Sequence, residues 1–382
     1  MQAMDSATSQ INQLSERIRA AASDKTPLRI CGSGSKDFYG LRLQGEPLST
    51  RALSGIVSYE PSELVVTVRA GTPLAELEAT LASQGQCLAF EPPHFGEGST
   101  VGGMVAAGLS GPSRASVGAV RDFVLGLEMI NGQGELLRYG GQVMKNVAGY
   151  DVSRLMTGSW GTLGLITEIS LKVLPVAPAE ATLRFDSCSQ AQALDWLNHW
   201  GGQPLPLNAS NWLEEDGKGT LYLRLRGARA AVQAATLRLG GERLDSDAVA
   251  ADWSASRDLN LPWFQQRAAD HCLWRLSTPA TAAPLPLPQG AAGPFIDWHG
   301  AQRWVQAPRS AAAALQQLAQ AAGGSASLFR AEDASQTSAN SDLDVHAQAS
   351  PAGRTSAQLH ARLKQAFDPA GILNVGRLSA HW

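Results

Sequence analysis

Apolar residues along the chain recur with two periods, and the elements they predict change character part-way through. Ile11, Leu14 and Ile18 are spaced for one face of an N-terminal helix. A short strand ends at Leu28 and Ile30, another covers 65–68, and Thr72-Pro73 is placed to cap a helix running through Leu81. Segments 123–130 and 135–139 flank Asn131-Gly132-Gln133-Gly134, a hairpin signature. Segment 151–156 reads as a short helix with Asp151 or Ser153 as cap. After it, Leu165, Thr167, Ile169, Leu171 and Val173 alternate as in a half-buried strand.

Beyond the breaker at 175–178 the pattern becomes strand 181–185, helix 191–200, strand 219–225 and helix 228–239. That alternation predicts an antiparallel sheet with helices on one face. The Ala/Pro-rich stretch 281–294 reads as an extended loop and the polar stretch 331–351 as mobile. Leu359, Leu363 and Phe367 then give 352–367 a helical spacing. Tryptophan marks the same division. Only Trp160 precedes Pro175, whereas Trp196, Trp200, Trp212, Trp253, Trp263, Trp274, Trp298 and Trp304 crowd the following region. The expected units are 1–177, 178–350 and a C-terminal segment 351–382.

Candidate chemistry lies in three glycine-rich loops. The first, PLRICGSGSKDFYG, places Gly32, Ser33, Gly34 and Ser35 after a strand, where successive amides can form an anion-binding nest; a flexible linker is the competing reading. It is neither a Rossmann fingerprint, because Asp37 stands where a third glycine is required, nor a Walker A loop. The second, EPPHFGEGSTVGGMVAAGLSGPSRASVGAVRD, lets Thr100 and Gly102-Gly103 open a helix whose positive end can face phosphate. Its apolar run is far too short to span a membrane. The third, GGQVMKNVAGYDVSRLMTGSWGTLGLITEISLKVLP, repeats glycine at 158, 161 and 164, where main chain can pass close to a flat ligand. A plain glycine-rich turn remains the alternative for it. Together the loops point to a flavin.

Composition narrows the class. A net charge of -3 supplies no basic field for nucleic acid. Cys31, Cys87, Cys188 and Cys272 are scattered without a CxxC pair for zinc, redox or iron–sulfur work, which fits a reducing compartment. The first residues lack the basic start and apolar run of a signal peptide.

The three loops, in this order, resemble the FAD-binding domain of the vanillyl-alcohol oxidase family, the PCMH-type FAD domain, over about 28–175. Within it the wording KNVAGYDVSRLMTGSWGTLG and the ending FDPAGILNVGRL are similar to the FAD-binding subunits of bacterial glycolate oxidases. The resemblance implies an α+β chain: a PCMH-type FAD-binding domain of two α+β subdomains, then a smaller antiparallel-sheet cap domain with helices, with the C-terminal ending returning to the flavin. It implies pyrophosphate contacts from Gly32, Ser33, Gly34, Ser35 and Lys36, and ring and phosphate contacts from Pro92, Thr100, Gly102, Gly103, Gly108, Ser110 and Gly111. Adenosine and ring-edge contacts are implied for Gly161, Thr162, Gly164 and Ile166, with Lys145, Gly149, Tyr150 and Asp151 nearby. Trp160 and Val375 depart from the acidic residue and proline that relatives often carry there. Covalently tethered members place histidine in the first loop or cysteine after the middle motif. Here Cys31-Gly32-Ser33-Gly34-Ser35 and Ser110-Gly111-Pro112 stand instead, with Cys31 reading as a small buried residue at a strand end, so the FAD is expected to be noncovalent.

Oxidising a 2-hydroxy acid needs a hydride acceptor, a base and a cation for the carboxylate. Relatives that do this alone carry paired histidines and an acidic residue around a divalent metal. His199, His271, His299, His346 and His360 lack that spacing, so no metal is expected. His299, on an expected strand in FIDWHGAQRWV, is the candidate base, and an ordinary partly exposed strand histidine is the competing reading. His94 is placed to touch the flavin edge. Arg114, Arg303 and Arg377 are candidate carboxylate cations that read more simply as surface charges. The preferred expectation is an FAD-carrying subunit of a glycolate oxidase complex, oxidising glycolate to glyoxylate with a catalytic flavin subunit and an iron–sulfur subunit as partners. A self-sufficient oxidoreductase and a noncatalytic assembly subunit are the alternatives. The expected location is the cytoplasm, with peripheral attachment at the inner face of the cell membrane through partners.

Overall fold

The computed structural model describes residues 2–40, 43–141, 151–244, 247–331 and 351–379. The N-terminal helix Gln2–Asp24 buries Ile11 and Ile18 against Leu28, Leu48, Ile130, Leu165 and Leu373, so the expected spacing marks a real packing face. Leu28–Cys31 pairs in parallel with Glu46–Ser49, and Leu28 also bridges Leu373 near the C-terminus.

Next to this pair lies a five-stranded antiparallel sheet in the order Ile56–Glu60, Val65–Arg69, Leu165–Lys172, Val124–Ile130, Leu136–Gly140. The hairpin at 131–134 forms as expected. Leu165–Lys172 is central, with a neighbour on each side. It is buried on both faces rather than half-buried, because the helix Val101–Ala107 packs Val101, Met104 and Val105 into the same core as Ile166. Alternation alone could not report that second covering layer.

One capping expectation is corrected and another is resolved between its two candidates. Thr72 does not cap the helix Leu74–Ser83, whose N-terminal flank makes no side-chain hydrogen bond. Its Oγ1 instead accepts from Gly55 N at 2.9 Å, because the hydroxyl is fully buried against that turn. For Val152–Met156 the cap is Asp151, which accepts from Arg154 N at 3.0 Å; Ser153 donates to Tyr139 O.

All strands between Ala179 and Arg330 join one eight-stranded antiparallel sheet. Its order is Glu242–Leu244, Ala179–Phe185, Lys218–Gly227, Leu207–Glu215, Ala292–Asp297, Gln302–Pro308, His271–Ser277 and Ser325–Arg330. The helices Gln190–Gly201 and Arg229–Leu239 cover one half, burying Leu194, Leu197 and Val232. The helix Ala312–Ala321 buries Leu315 and Ala319 against the other half. The stretch 281–291 is a loop without helix or strand, with a turn at 289–290, and Ala292, Gly293 and Pro294 already belong to the strand Ala292–Asp297. The helix Pro351–Phe367 forms at the expected place. Residues 332–350, expected to be mobile, lie outside the described residues.

The sheets meet through aromatic side chains. Tyr39 and Trp160 pack in one cluster with Phe264, Phe295, Trp304 and Phe329 of the eight-stranded sheet and its connections. A buried ion pair reinforces the junction: Glu91, before the middle glycine motif, accepts from Arg224 at 2.6 and 2.7 Å and from Arg226 at 3.1 Å.

Candidate functional site

Three chain segments build one cleft. The first is the loop Gly32–Lys36 that follows the strand Leu28–Cys31. Among the described residues the amides of Gly32, Ser33 and Gly34 donate to no protein acceptor, so they remain available to an anion. Gly34, at φ 79°, lets the loop turn back on itself.

The second segment is the start of the helix Val101–Ala107. Thr100 caps it, accepting from Gly103 N at 3.2 Å, which leaves Gly102 and Gly103 lining the cleft. A Cβ on Gly32 would lie 2.2 Å from Thr100 Oγ1, so the first loop and the helix start can touch only through glycine. The third segment brings Trp160, Gly161, Gly164 and Ile166 to the wall. Trp160 stacks on Tyr39 at 4.5 Å between centroids.

Two wall residues come from the far end of the chain. Asn374 accepts from Ile30 N at 2.7 Å and donates to Trp160 O at 2.5 Å, clamping the first and third loops together. Arg377 donates to Lys36 O at 2.8 Å and lies over the Trp160 ring. Arg29, Lys36 and Arg377 stand beside the loop amides, with Asp37 also in the lining and 3.8 Å from Arg29. Arg29 Nε and Arg377 Nη1 are buried without a hydrogen-bond partner. Lys36 Nζ donates to Ser99 Oγ at 2.9 Å, and burial lowers its pKa to about 8, with Asp258 acting in the opposite direction. Unpaired buried cationic nitrogens beside open amides fit a pyrophosphate.

A second, smaller cavity opens where the middle motif meets the eight-stranded sheet. Gly108, Ser110 and Gly111 line one side; Arg275, Asp297, Trp298, Gln302 and Trp304 line the other. The Trp298 indole donates to Gly111 O at 2.9 Å, tying the two sides. Asp297 is almost fully buried, and that burial pushes its carboxyl up to about 8, against the hydrogen bond it accepts from Trp298 N at 2.7 Å.

The sequence-derived positions thus fall into groups. Gly32, Ser33, Gly34, Ser35, Lys36, Thr100, Gly102, Gly103, Gly161, Gly164 and Ile166 line the large cleft, and Gly108, Ser110 and Gly111 the second cavity. Pro92 is buried beside the middle motif, and Thr162 is held in the wall's backing, its carbonyl accepting from Lys364 Nζ at 2.9 Å. Asp151 is a helix cap paired with Arg154 at 3.0 Å and lines neither space. Lys145, Gly149 and Tyr150 lie outside the described residues.

His94 turns toward the helix Leu74–Ser83, its Nε2 2.9 Å from Glu78 Oε2, and lines neither space. His299 is on a turn, not a strand. Trp298 and His299 both take left-handed φ, 53° and 54°, between the paired strands Ala292–Asp297 and Gln302–Pro308. Its Nδ1 lies 2.9 Å from Ser210 Oγ and its Nε2 3.0 Å from Ser116 Oγ, and burial lowers its pKa to about 4. It lines neither space. Arg303 and Arg377 are buried rather than surface cations. The Arg303 guanidinium is consumed by the carbonyls of Ala282, Ala283 and Gly300. Arg114 stacks on Trp298. Sequence reasoning missed Arg29, Ser99 and Asn374 as cleft residues and Arg275, Gln302 and Trp304 as cavity residues.

A family model described as the FAD binding domain matches residues 7–140. Glycolate oxidase subunit GlcE of Escherichia coli is 43% identical over 367 residues, covering 96% of this chain and 97% of that protein. The chain belongs to the GlcE family. Glycolate oxidase subunit GlcD of Bacillus subtilis is 31% identical over 175 residues, 45% of this chain and 37% of that protein. A D-lactate dehydrogenase of Anaerostipes hadrus is 35% identical over 42% of this chain and 34% of its own length. Among solved structures, alkyldihydroxyacetonephosphate synthase superposes with a TM-score of 0.62 at 15% identity, over 94% of this chain and 73% of that one, a likeness of fold. The chain is accordingly an FAD-dependent oxidoreductase of α+β, PCMH-type architecture. Among the described residues no helix is long and apolar enough to cross a membrane, and no cluster of His, Cys, Asp and Glu could hold a metal ion.

Proposed function

We propose that this chain is the FAD-carrying subunit of a glycolate oxidase complex that oxidises glycolate to glyoxylate, with a catalytic flavin subunit and an iron–sulfur subunit as partners. The observation that carries the reading is the near full-length likeness to the E. coli subunit, joined to a cleft whose open amides and basic side chains suit FAD. When bound, FAD supplies a two-electron acceptor for hydride from the substrate's alpha carbon. The chain's own residues hold and orient it. The amides of Gly32, Ser33 and Gly34, together with Arg29, Lys36 and Arg377, take the pyrophosphate, while Gly161, Gly164 and Ile166 let the wall approach closely. Gly32-Ser33-Gly34-Ser35 and Ser110-Gly111-Pro112 offer no nucleophile of the kind that tethers flavin in relatives, so the cofactor is noncovalent.

The chain divides at about 177 and 350. The eight-stranded sheet between Ala179 and Arg330 supports the first boundary, and the return of Leu373, Asn374 and Arg377 to the cleft supports the second. The complex is cytoplasmic and reaches the inner face of the membrane through partners.

The chain purified alone should carry FAD yet bleach slowly, if at all, when mixed anaerobically with glycolate. Added catalytic and iron–sulfur subunits should restore fast bleaching. Rapid bleaching by the isolated chain, lost on His299→Ala, would instead establish a self-sufficient enzyme with His299 as its base.

A further inference from the structure

Lys36 is 7% exposed, and among the described residues its ammonium bonds only to neutral acceptors: Ser99 Oγ at 2.9 Å, Ser35 Oγ at 3.3 Å and the carbonyl of His94 at 3.4 Å. A buried cation bonded to uncharged oxygens depends on charges further off to stay a cation. The carboxylate that acts on it belongs to Asp258, in the other half of the chain. Burial lowers the Lys36 pKa to about 8, and Asp258 opposes that fall.

The eight-stranded sheet fixes Asp258 in place. It follows the helix Asp247–Arg257, whose Trp253 indole donates to Thr182 Oγ1 at 2.9 Å and whose Ser256 Oγ accepts from Asn211 Nδ2 at 2.8 Å. Arg257 donates to Asp258 Oδ2 at 2.7 Å and so orients the carboxylate. The other oxygen, Oδ1, accepts from His94 N at 2.7 Å, and the carbonyl of the same histidine takes Lys36. A single residue of the middle glycine motif thus joins a carboxylate of the second unit to an ammonium of the first. Asp258 itself lines neither the cleft nor the second cavity.

We propose that Asp258 is a positioning residue for the cofactor: through His94 it places the Lys36 ammonium, and through its charge it keeps that ammonium ready for the pyrophosphate. Resting on the reading of the cleft as an FAD site, this role gives residues 178–350 a part in cofactor binding without a contact to the cofactor. Other charges face Lys36 as well. Arg29, 3.8 Å from Asp37, and Arg377 stand on the loop side, and Arg330 lies over the same Phe95 ring as Lys36. Glu78 lies behind His94, and Arg257 beside Asp258. Carboxylates and guanidiniums ordinarily keep their charge between about pH 6 and 9. Cys31, in the cleft wall with its thiol raised by burial, and His94 are the remaining groups able to titrate. A profile owed to either would survive Lys36→Met.

Flavin-free protein titrated calorimetrically with FAD between about pH 6 and 9 gives the test. A bound anion favours the ammonium, so wild-type affinity should fall at least about threefold as pH rises through about 8. Asp258→Asn keeps an oxygen for His94 N but removes the charge, so its fall should begin at lower pH. It should bind no more weakly than wild type at about pH 6 and at least about twofold more weakly at about pH 8. Lys36→Met should flatten the profile, and Asp258→Asn added to it should cost no further affinity. A merely structural role would instead give the same fractional loss at every pH and in both backgrounds, and that result would overturn the proposal. So would a flat wild-type profile, or one that persists in Lys36→Met, which alone carries the test if the Asn variant does not fold. Folded wild-type protein that takes up no FAD defeats the reading of the cleft, whereas FAD uptake without the pH dependence defeats this inference alone.

Discussion

Gly161→Val should yield folded protein that has lost most of its flavin. Gly161 takes φ 72°, a left-handed conformation that costs a residue with a Cβ about 1–2 kcal/mol and a β-branched one more. The new Cβ would stand 2.6 Å from Asn374 Nδ2. Asn374 cannot yield freely, because its amide holds Trp160 O and Ile30 N at once. Moving it strands buried backbone groups at roughly 1–3 kcal/mol each. The strain falls where the first and third loops meet, so it opens the cleft. A combined loss of about 3–4 kcal/mol corresponds to more than a hundredfold in affinity. The ratio of absorbance at the flavin band to that of protein should drop to below about one-tenth of wild type. Retention of full colour would mean that this glycine does not border the cofactor.

Glu91→Gln should give the largest loss of stability. Arg224 is 2% exposed and its guanidinium is neutralised by Glu91, which also receives Arg226 and Ser113 N. Removing one partner of a buried pair leaves the other charge uncompensated, typically at about 3–5 kcal/mol. The neutral amide keeps the size of the side chain, so the loss reads as charge rather than cavity. The pH dependence has a definite sign. Burial alone would raise the Glu91 pKa, but Arg224 and Arg226 overcome it and hold the carboxyl below its usual 4.5. A depressed folded-state pKa contributes stability that is present above the unfolded value and disappears as pH falls through the folded one. Urea midpoints should therefore decline below about pH 4 in the wild type, with a smaller decline in the variant. Equal midpoints at pH 7 would show that the pair does not hold the sheets together.

How far the sequence reveals this arrangement depends on whether the information is local. The glycine loops were legible as clusters in the sequence, and Gly34 and Gly161 take left-handed φ, but the partners that crowd Gly32, Gly102 and Gly161, namely Thr100, Ala70 and Asn374, come from other segments. The strand Leu165–Lys172 was legible in position but not in burial, since its second face is covered by a helix from another part of the chain. Asn374 and Arg377 escaped notice as wall residues. Asn374 is 344 positions from its partner Ile30, and only the resemblance of the ending FDPAGILNVGRL hinted at the return.

The second cavity was less legible still. Arg275, Gln302 and Trp304 sit on the adjacent strands His271–Ser277 and Gln302–Pro308, where Arg275 pairs directly with Trp304. Crowding of tryptophans announced an aromatic region without saying which indoles would line it. The surroundings of His299 were hidden for a similar reason. Its neighbours Ser116 and Ser210 are supplied by other segments, and burial among them lowers its pKa to about 4.

Calorimetric titration of FAD into flavin-free, folded protein tests the central claim most directly. The account predicts saturable, stoichiometric uptake, with all of the colour released into the supernatant on acid precipitation. Native-like protein that takes up no FAD would contradict it.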